Sequence, residues 1–225
     1  MTSKLPRWVE YGAFVLAFVA GNVNAVGLLG FKHQAISHLS GTATLLGTDL
    51  IDGSLSSVMH LLGVLLSFLI GAAISGFSLP DGSLKLGRHY DSLLLLEGSL
   101  LLLSIYFLNN GSLLGHYTAS AACGLQNALA STYSGAVVRT THLTGIFTDL
   151  GLMLGAKLRG EFFDKRRALL FVLIILGFVF GGALGAYLFS LWQFFALGLP
   201  AGICLLLAIC YRLYRAAARK HLRVS

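Results

Sequence analysis

From Leu55 to Ser78 the chain runs LSSVMHLLGVLLSFLIGAAISGFS without one charged residue. About twenty such residues are what a helix needs to cross a hydrocarbon layer roughly 30 Å thick. In that medium a crossing segment must satisfy its own backbone polar groups, and a helix does so. Comparable runs lie near 8–29, 91–108, 112–133, 168–190 and 191–211. Only 11% of the residues are charged against 56% hydrophobic, and the mean hydropathy is +0.80. The fold class expected is an all-α membrane protein with about six transmembrane helices. The first run opens with RWVEYG, which lacks the charged region, short apolar core and small-residue cleavage site of a removable signal peptide, so it is expected to stay.

The net charge of +7 does not point to nucleic acid, because the basic residues sit in short loops and in the tail YRLYRAAARKHLRVS. Beside apolar spans such clusters face anionic cytoplasmic lipid, and no soluble basic face is present to track phosphates. Cys123, Cys204 and Cys210 fall inside expected spans without Cys-x-x-Cys spacing. They read as small core residues, neither a disulfide framework nor a zinc site.

A polar phrase occurs twice. ISHLSGTATLLGTDL at 36–50 returns as RTTHLTGIFTDLGLML at 139–154. At an offset of 104, His38-Leu39-Ser40-Gly41 falls on His142-Leu143-Thr144-Gly145 and Thr44 on Thr148; at 103, Asn24 falls on Asn127. After each copy comes a run with small residues every four positions, Ser67, Gly71 and Ser75 in the first and Gly177, Gly181 and Gly185 in the second, at an offset of 110. Such spacing grooves one helix face for close approach. Each half, 1–110 and 111–225, reads as span, motif segment, span, span.

Ser40 to Leu50 as helix reaches about 16 Å, half the apolar thickness, so the motif segments are expected as short re-entrant half-helices. Charge placement agrees. With both segments dipping in without crossing, all of the 16 Lys and Arg except Lys32 fall on the cytoplasmic side together with both termini; with both crossing, Lys85, Arg88 and Arg139 join Lys32 outside. Three spans per half then turn the second half upside down, giving an inverted internal repeat of the kind recurrent among transporters.

Buried first-turn N–H groups need partners, and hydroxyls cap helices well, so Ser37 to Thr42 and Thr140 to Gly145 read as helix entrances. Two N-termini converging from opposite faces favour an anion or the negative end of a polar solute. His38 and His142 add donors whose charge changes near neutral pH, and Arg139 adds positive charge near the second motif. The expected binding residues are Asn24, His38, Ser40, Gly41, Thr42, Asn127, Thr141, His142, Thr144 and Gly145. The same residue types also serve as plain interhelical glue, and two histidines without H-E-x-x-H or carboxylate spacing are weak grounds for a metal; no metal or cofactor is expected.

Glu97, in LLLLEGSLLLL, is an intramembrane carboxylate and a candidate for an ion pathway, with a hydrogen-bonded structural role as the alternative. Asp149, seven residues after His142, shares its helix face and is the second coupling candidate, as a partner for that imidazole. Asp49 reads as a segment-end residue, His60 as a packing or interfacial residue, and Pro200 with Gly202 as a kink in the last span. No phosphate loop, nucleophile elbow or clustered catalytic set is present, so an enzyme is not expected.

The stretches GNVNAVGLLGF, SHLSGTATLLG, CGLQNAL and VVRTTHLTGIFTDLG resemble the YoaK family of bacterial membrane proteins, a domain of unknown function. The resemblance covers most of the chain and implies a multi-pass inner-membrane protein of about six helices, without naming a substrate. The first copy departs from the family pattern, in which an acid stands at the position of Asn24 and Asn at that of Thr42, so a carboxylate role does not carry over to Asn24. The expected function is a secondary transporter or permease for a small polar or anionic solute, with a non-transporting sensor or assembly protein as the alternative. The expected partners are the lipid bilayer and that solute; homo-oligomerisation stays open.

Overall fold

The computed structural model describes residues 8–30, 36–79, 89–134 and 140–221. These form helices α1 (Trp8–Gly30), α2 (Leu39–Asp52), α3 (Leu55–Ser78), α4 (Tyr90–Asn109), α5 (Leu114–Ser134), α6 (Leu143–Leu158), α7 (Lys165–Trp192) and α8 (Gly198–His221), with a 3-10 turn, Gln193–Leu197, between the last two. Local chemistry sets several of the ends. Ser54 accepts the Ser57 amide at the start of α3, and Asp164 accepts the Arg166 and Arg167 amides at the start of α7. Gly111 and Gly160, at φ 69° and 85°, supply the left-handed residues that end α4 and α6.

Four stretches among the described residues are long and apolar enough to cross a membrane: Val9–Gly30, Leu55–Ser78, Tyr90–Asn109 and Lys165–Ala217, the last containing both α7 and most of α8. α5 is not among them; it carries His116, Thr118, Ser120, Gln126 and Asn127. It tolerates them because it is wrapped by other helices: Ser120 donates to the Val64 carbonyl at 2.8 Å and Gln126 to that of Leu16 at 3.2 Å. The expected kink at Pro200 is absent. Pro200 lies in the first turn of α8, where its missing N–H costs no helical bond, and the chain breaks earlier, at the 3-10 turn. Cys123 and Cys204 are buried as expected, whereas Cys210 is exposed on α8.

The most extensive contact joins α1 to α7, and the next joins α3 to α5. In the first, Gly177, Gly181 and Gly185 face the carbonyls of Phe14, Phe18 and Asn22, and Gly21 faces that of Phe178. In the second, Gly71 faces the Ala121 carbonyl and Gly124 that of Phe68. Both pairs run parallel: Gly177, Gly181 and Gly185 follow Phe14, Phe18 and Asn22 turn by turn, and His116, Ser120 and Gly124 follow His60, Val64 and Phe68. The two sets also match: Gly21 and Phe18 sit 103 positions before Gly124 and Ala121, and Phe68 and Gly71 sit 110 before Phe178 and Gly181. A helix from each half thus lies in the groove of a helix from the other.

Two apolar clusters fix the remaining directions. One gathers Val9 and Ala13 from the start of α1, Leu93 and Leu94 from the start of α4, Leu170 from the start of α7, Leu129 from late α5 and Ala208 from α8. The other gathers Val26, Ile105 and Leu108 from the far ends of α1 and α4 with Ala119 of early α5 and Ala201 of early α8. So α1, α4 and α7 run one way and α3, α5 and α8 the other. α1 ends where α3 begins, and α5 ends where α7 begins. α2 and α6 each leave and rejoin a single end of the bundle, and those ends are opposite.

Gly71→Ala and Gly181→Ala should each destabilise the protein by about 2 kcal/mol, because the new methyl meets a backbone carbonyl that cannot step aside. Gly76→Ala on α3, with open space around it, should be neutral to mildly stabilising, by up to about 1 kcal/mol. Thermal unfolding in detergent checks this; equal melting of Gly71→Ala and Gly76→Ala would contradict the packing.

Candidate functional site

Both motif helices begin at a histidine. His38 and His142 occupy the N-cap positions of α2 and α6 with nearly the same backbone angles, φ −99° and ψ 70° against φ −95° and ψ 54°. Neither makes a side-chain capping bond, which corrects the expectation of hydroxyl caps: Ser40 and Thr144 already lie inside the first turn. The turns continue alike, with Thr44 Oγ1 donating to the Ser40 carbonyl and Thr148 Oγ1 to that of Thr144, both at 2.9 Å. These bonds tie each hydroxyl to its own helix and leave the first-turn amides facing outward.

Asn24 sets where the first tip lies. Its Oδ1 accepts both the Ser37 hydroxyl, at 2.8 Å, and the Ser37 amide, at 3.3 Å, and Ile36 packs over Gly27 of the same helix. Asn24 is therefore a positioning residue for the strand of chain entering α2, where the sequence suggested a binding contact. The two accepted bonds are what a carboxylate at this position would also provide.

A cavity of about 470 Å³ lies between the tips. From the first motif it is lined by Ser37, His38, Leu39 and Ser40; from the second by Thr141, His142 and Thr144. Asn127 and Ser131 of α5 and Phe68 of α3 complete the wall. Its size suits a small ligand. Among the described residues the lining holds no Asp, Glu, Lys or Arg and offers two imidazoles, several hydroxyls and two helix N-termini. Asn127 Oδ1 is buried with no partner among the described residues, an acceptor at the cavity wall.

Of the residues expected at the site, His38, Ser40, Asn127, Thr141, His142 and Thr144 come together. Thr42 is buried and turns back toward the His38 carbonyl, at 3.5 Å. Gly41 is exposed and does not line the chamber, while Gly145 makes room for the His142 ring, which lies where a Cβ would stand. Asp149 pairs instead with Arg167, in the first turn of α7, its carboxylate 2.8 Å from the guanidinium. Glu97, 2% exposed, sits between α4 and α8 hydrogen-bonded with Cys204, away from the chamber. Asp49 ends α2 against the Ser57 hydroxyl. Arg139, and with it Lys4, Arg7, Lys32, Lys85, Arg88 and Arg223, lies outside the described residues. Sequence reasoning missed Ser131, one turn after Asn127 on the same face of α5, and Phe68, an apolar residue with nothing in its surroundings to mark it.

A model of the family described as "Protein of unknown function (DUF1275)" matches residues 12–210. The chain belongs to the DUF1275 family. The resemblance to YoaK proteins agrees with this, since the YoaK-type family is a DUF1275 family. No curated protein and no solved structure matches the chain. Across this DUF1275 chain the match covers both motifs, the cavity and both glycine-grooved helix pairs.

Asn24→Ala should cost about 1–3 kcal/mol, because the Ser37 donors lose their buried acceptor. Asn24→Asp should keep most of the parent's stability. Detergent melting curves of the two variants check this, and equal losses would mean that the acceptor is not what holds the loop.

Proposed function

We propose that this protein is a small inner-membrane carrier for a polar or anionic solute, with the chamber between the two motif tips as its binding site. The observation that carries the reading is that two copies of His-Leu-Ser/Thr-Gly, about a hundred residues apart, meet at one cavity from opposite ends of the bundle. In this reading residues 1–110 and 111–225 are the two units of an inverted repeat, six helices cross the membrane, and α2 and α6 are re-entrant. The matched glycine contacts, the matched first turns and the opposed directions of α1 and α5 support it.

The orientation follows from charge. Lys157, Arg159, Lys165, Arg166, Arg167, Arg212 and Arg215 all lie toward the end where α1 begins, where Arg166 pairs with Glu10 and Arg215 with Asp91. By the positive-inside rule that end is cytoplasmic and holds both termini. The solute binds through the imidazoles of His38 and His142, the hydroxyls of Ser40, Thr141 and Thr144, and the Asn127 amide. Two facing helix N-termini favour an anion or an electronegative group. The halves, each seated in the other's groove, rock to open the chamber to one side and then the other. No reaction is assigned, and the protein is read as a carrier and not an enzyme.

Uptake into proteoliposomes across a panel of small anions and polar solutes tests the reading. At least one solute should enter faster than into empty vesicles, and His38→Ala/His142→Ala should slow it about tenfold, the loss of one to two hydrogen bonds' worth of binding. Uptake unchanged in the double variant would remove the tips from the mechanism. No uptake of any solute by the parent would favour a sensor or assembly role.

A further inference from the structure

Outside the chamber, a buried polar contact between neighbouring helices lies near the starts of α3 and α5. His60 of α3 and His116 of α5 are 5% and 8% exposed. His60 Nε2 lies 3.1 Å from His116 Nδ1, and His60 Nδ1 lies 3.2 Å from the Tyr117 hydroxyl. The three groups form a continuous chain of hydrogen-bonding atoms across the helix interface.

Packing does not require them. Displaced by the same offsets that relate the glycine contacts, His60 corresponds to Leu170, His116 to Ala13 and Tyr117 to Phe14. Leu170 and Ala13 are buried together in the apolar cluster between α1 and α7. One parallel helix pair thus closes with leucine, alanine and phenylalanine where the other uses two imidazoles and a phenol. Burying polar rings costs free energy that an apolar contact at the same place avoids.

We propose that His60, His116 and Tyr117 form a proton-binding site, and, resting on the carrier reading above, that its occupancy is linked to solute in the chamber. Each imidazole contact holds one hydrogen, so in a neutral chain one nitrogen donates and its neighbour accepts. An added proton converts one ring to imidazolium, and moving the shared hydrogen passes the charge to the other ring. A second proton would set two charges across a 3.1 Å contact, so the pair takes one and resists another. Among the described residues, the titratable groups on the helices packed around it include Asp49 of α2, bonded to Ser57 one turn before His60, Asp52 at the end of α2, Glu10 of α1, and Asp91, Tyr106 and Glu97 of α4, the last of which sits with Cys204. α2 joins the two sites: its first turn lines the chamber and its last turn meets α3 beside His60. Along α3, His60 and Phe68 at the chamber wall are about 12 Å apart.

The test uses the full chain in two measurements. Nitrogen NMR of histidine-labelled protein in detergent, titrated from about pH 5 to 9 where imidazoles change charge, should show His60 and His116 taking up one proton between them. In His116→Ala the His60 signal should revert to an independent titration. Neither ring changing protonation across that range would overturn the site. Proteoliposomes with an imposed pH gradient and the same solute panel supply the second measurement, comparing the parent with His60→Leu/His116→Ala, which copies the residues of the other half and should fold. A transported solute should lose its dependence on the gradient in the variant while exchange at equal pH continues. Gradient dependence retained in the variant would overturn the linkage. Absence of uptake by the parent would remove the carrier reading, and with it the linkage, while the NMR result still decides the proton site.

Discussion

Everything in this bundle depends on glycine surfaces that let a helix of one half sit against the carbonyls of a helix from the other. Gly181 and Gly21 seat α7 on α1, and Gly71 and Gly124 seat α3 on α5. At such distances dispersion and weak Cα–H contacts act along the whole groove, and in an apolar medium they replace the hydrophobic drive that holds soluble helices together. Because each contact joins the two halves, neither half closes its own groove.

The motif helices occupy what remains. A helix of the length of α2 or α6 would leave its first amides stranded if it stopped in lipid. Here each stops against protein, beside Ser37, which Asn24 anchors, and beside Phe68 and Asn127 of the inner helices. A cavity lined by hydroxyls, imidazoles and an amide oxygen with no partner among the described residues is suited to a ligand that returns those hydrogen bonds. The histidines stand at the N-caps without capping, so their rings are left to face the chamber, or, for His142, to lie over Gly145.

The long helices were legible because uninterrupted apolar runs have few alternatives, and the tips because His-Leu-Ser/Thr-Gly is conspicuous in so greasy a chain. Other features were hidden by geometry. Asn24 and Asn127 correspond in sequence, yet Asn24 turns to the loop before α2 while Asn127 faces the cavity, a difference set by side-chain direction and not by residue type. Asp149 shares a face with His142, but the start of α7 brings Arg167 within reach, and a guanidinium outcompetes an imidazole for that carboxylate. The His60 and His116 contact joins residues 56 apart and needs the α3 to α5 register, which no local pattern carries. Pro200 looked like a kink only because the helix was expected to start earlier than it does.

The central claim is that α2 and α6 enter from opposite sides. Asp52, at the outer end of α2, and Glu161, just beyond α6, are both exposed polar positions suited to thiol labelling. With Asp52→Cys and Glu161→Cys placed singly in a cysteine-free background, a membrane-impermeant maleimide should label the first only in right-side-out vesicles and the second only in inside-out vesicles. Labelling of both from the same side would contradict the account.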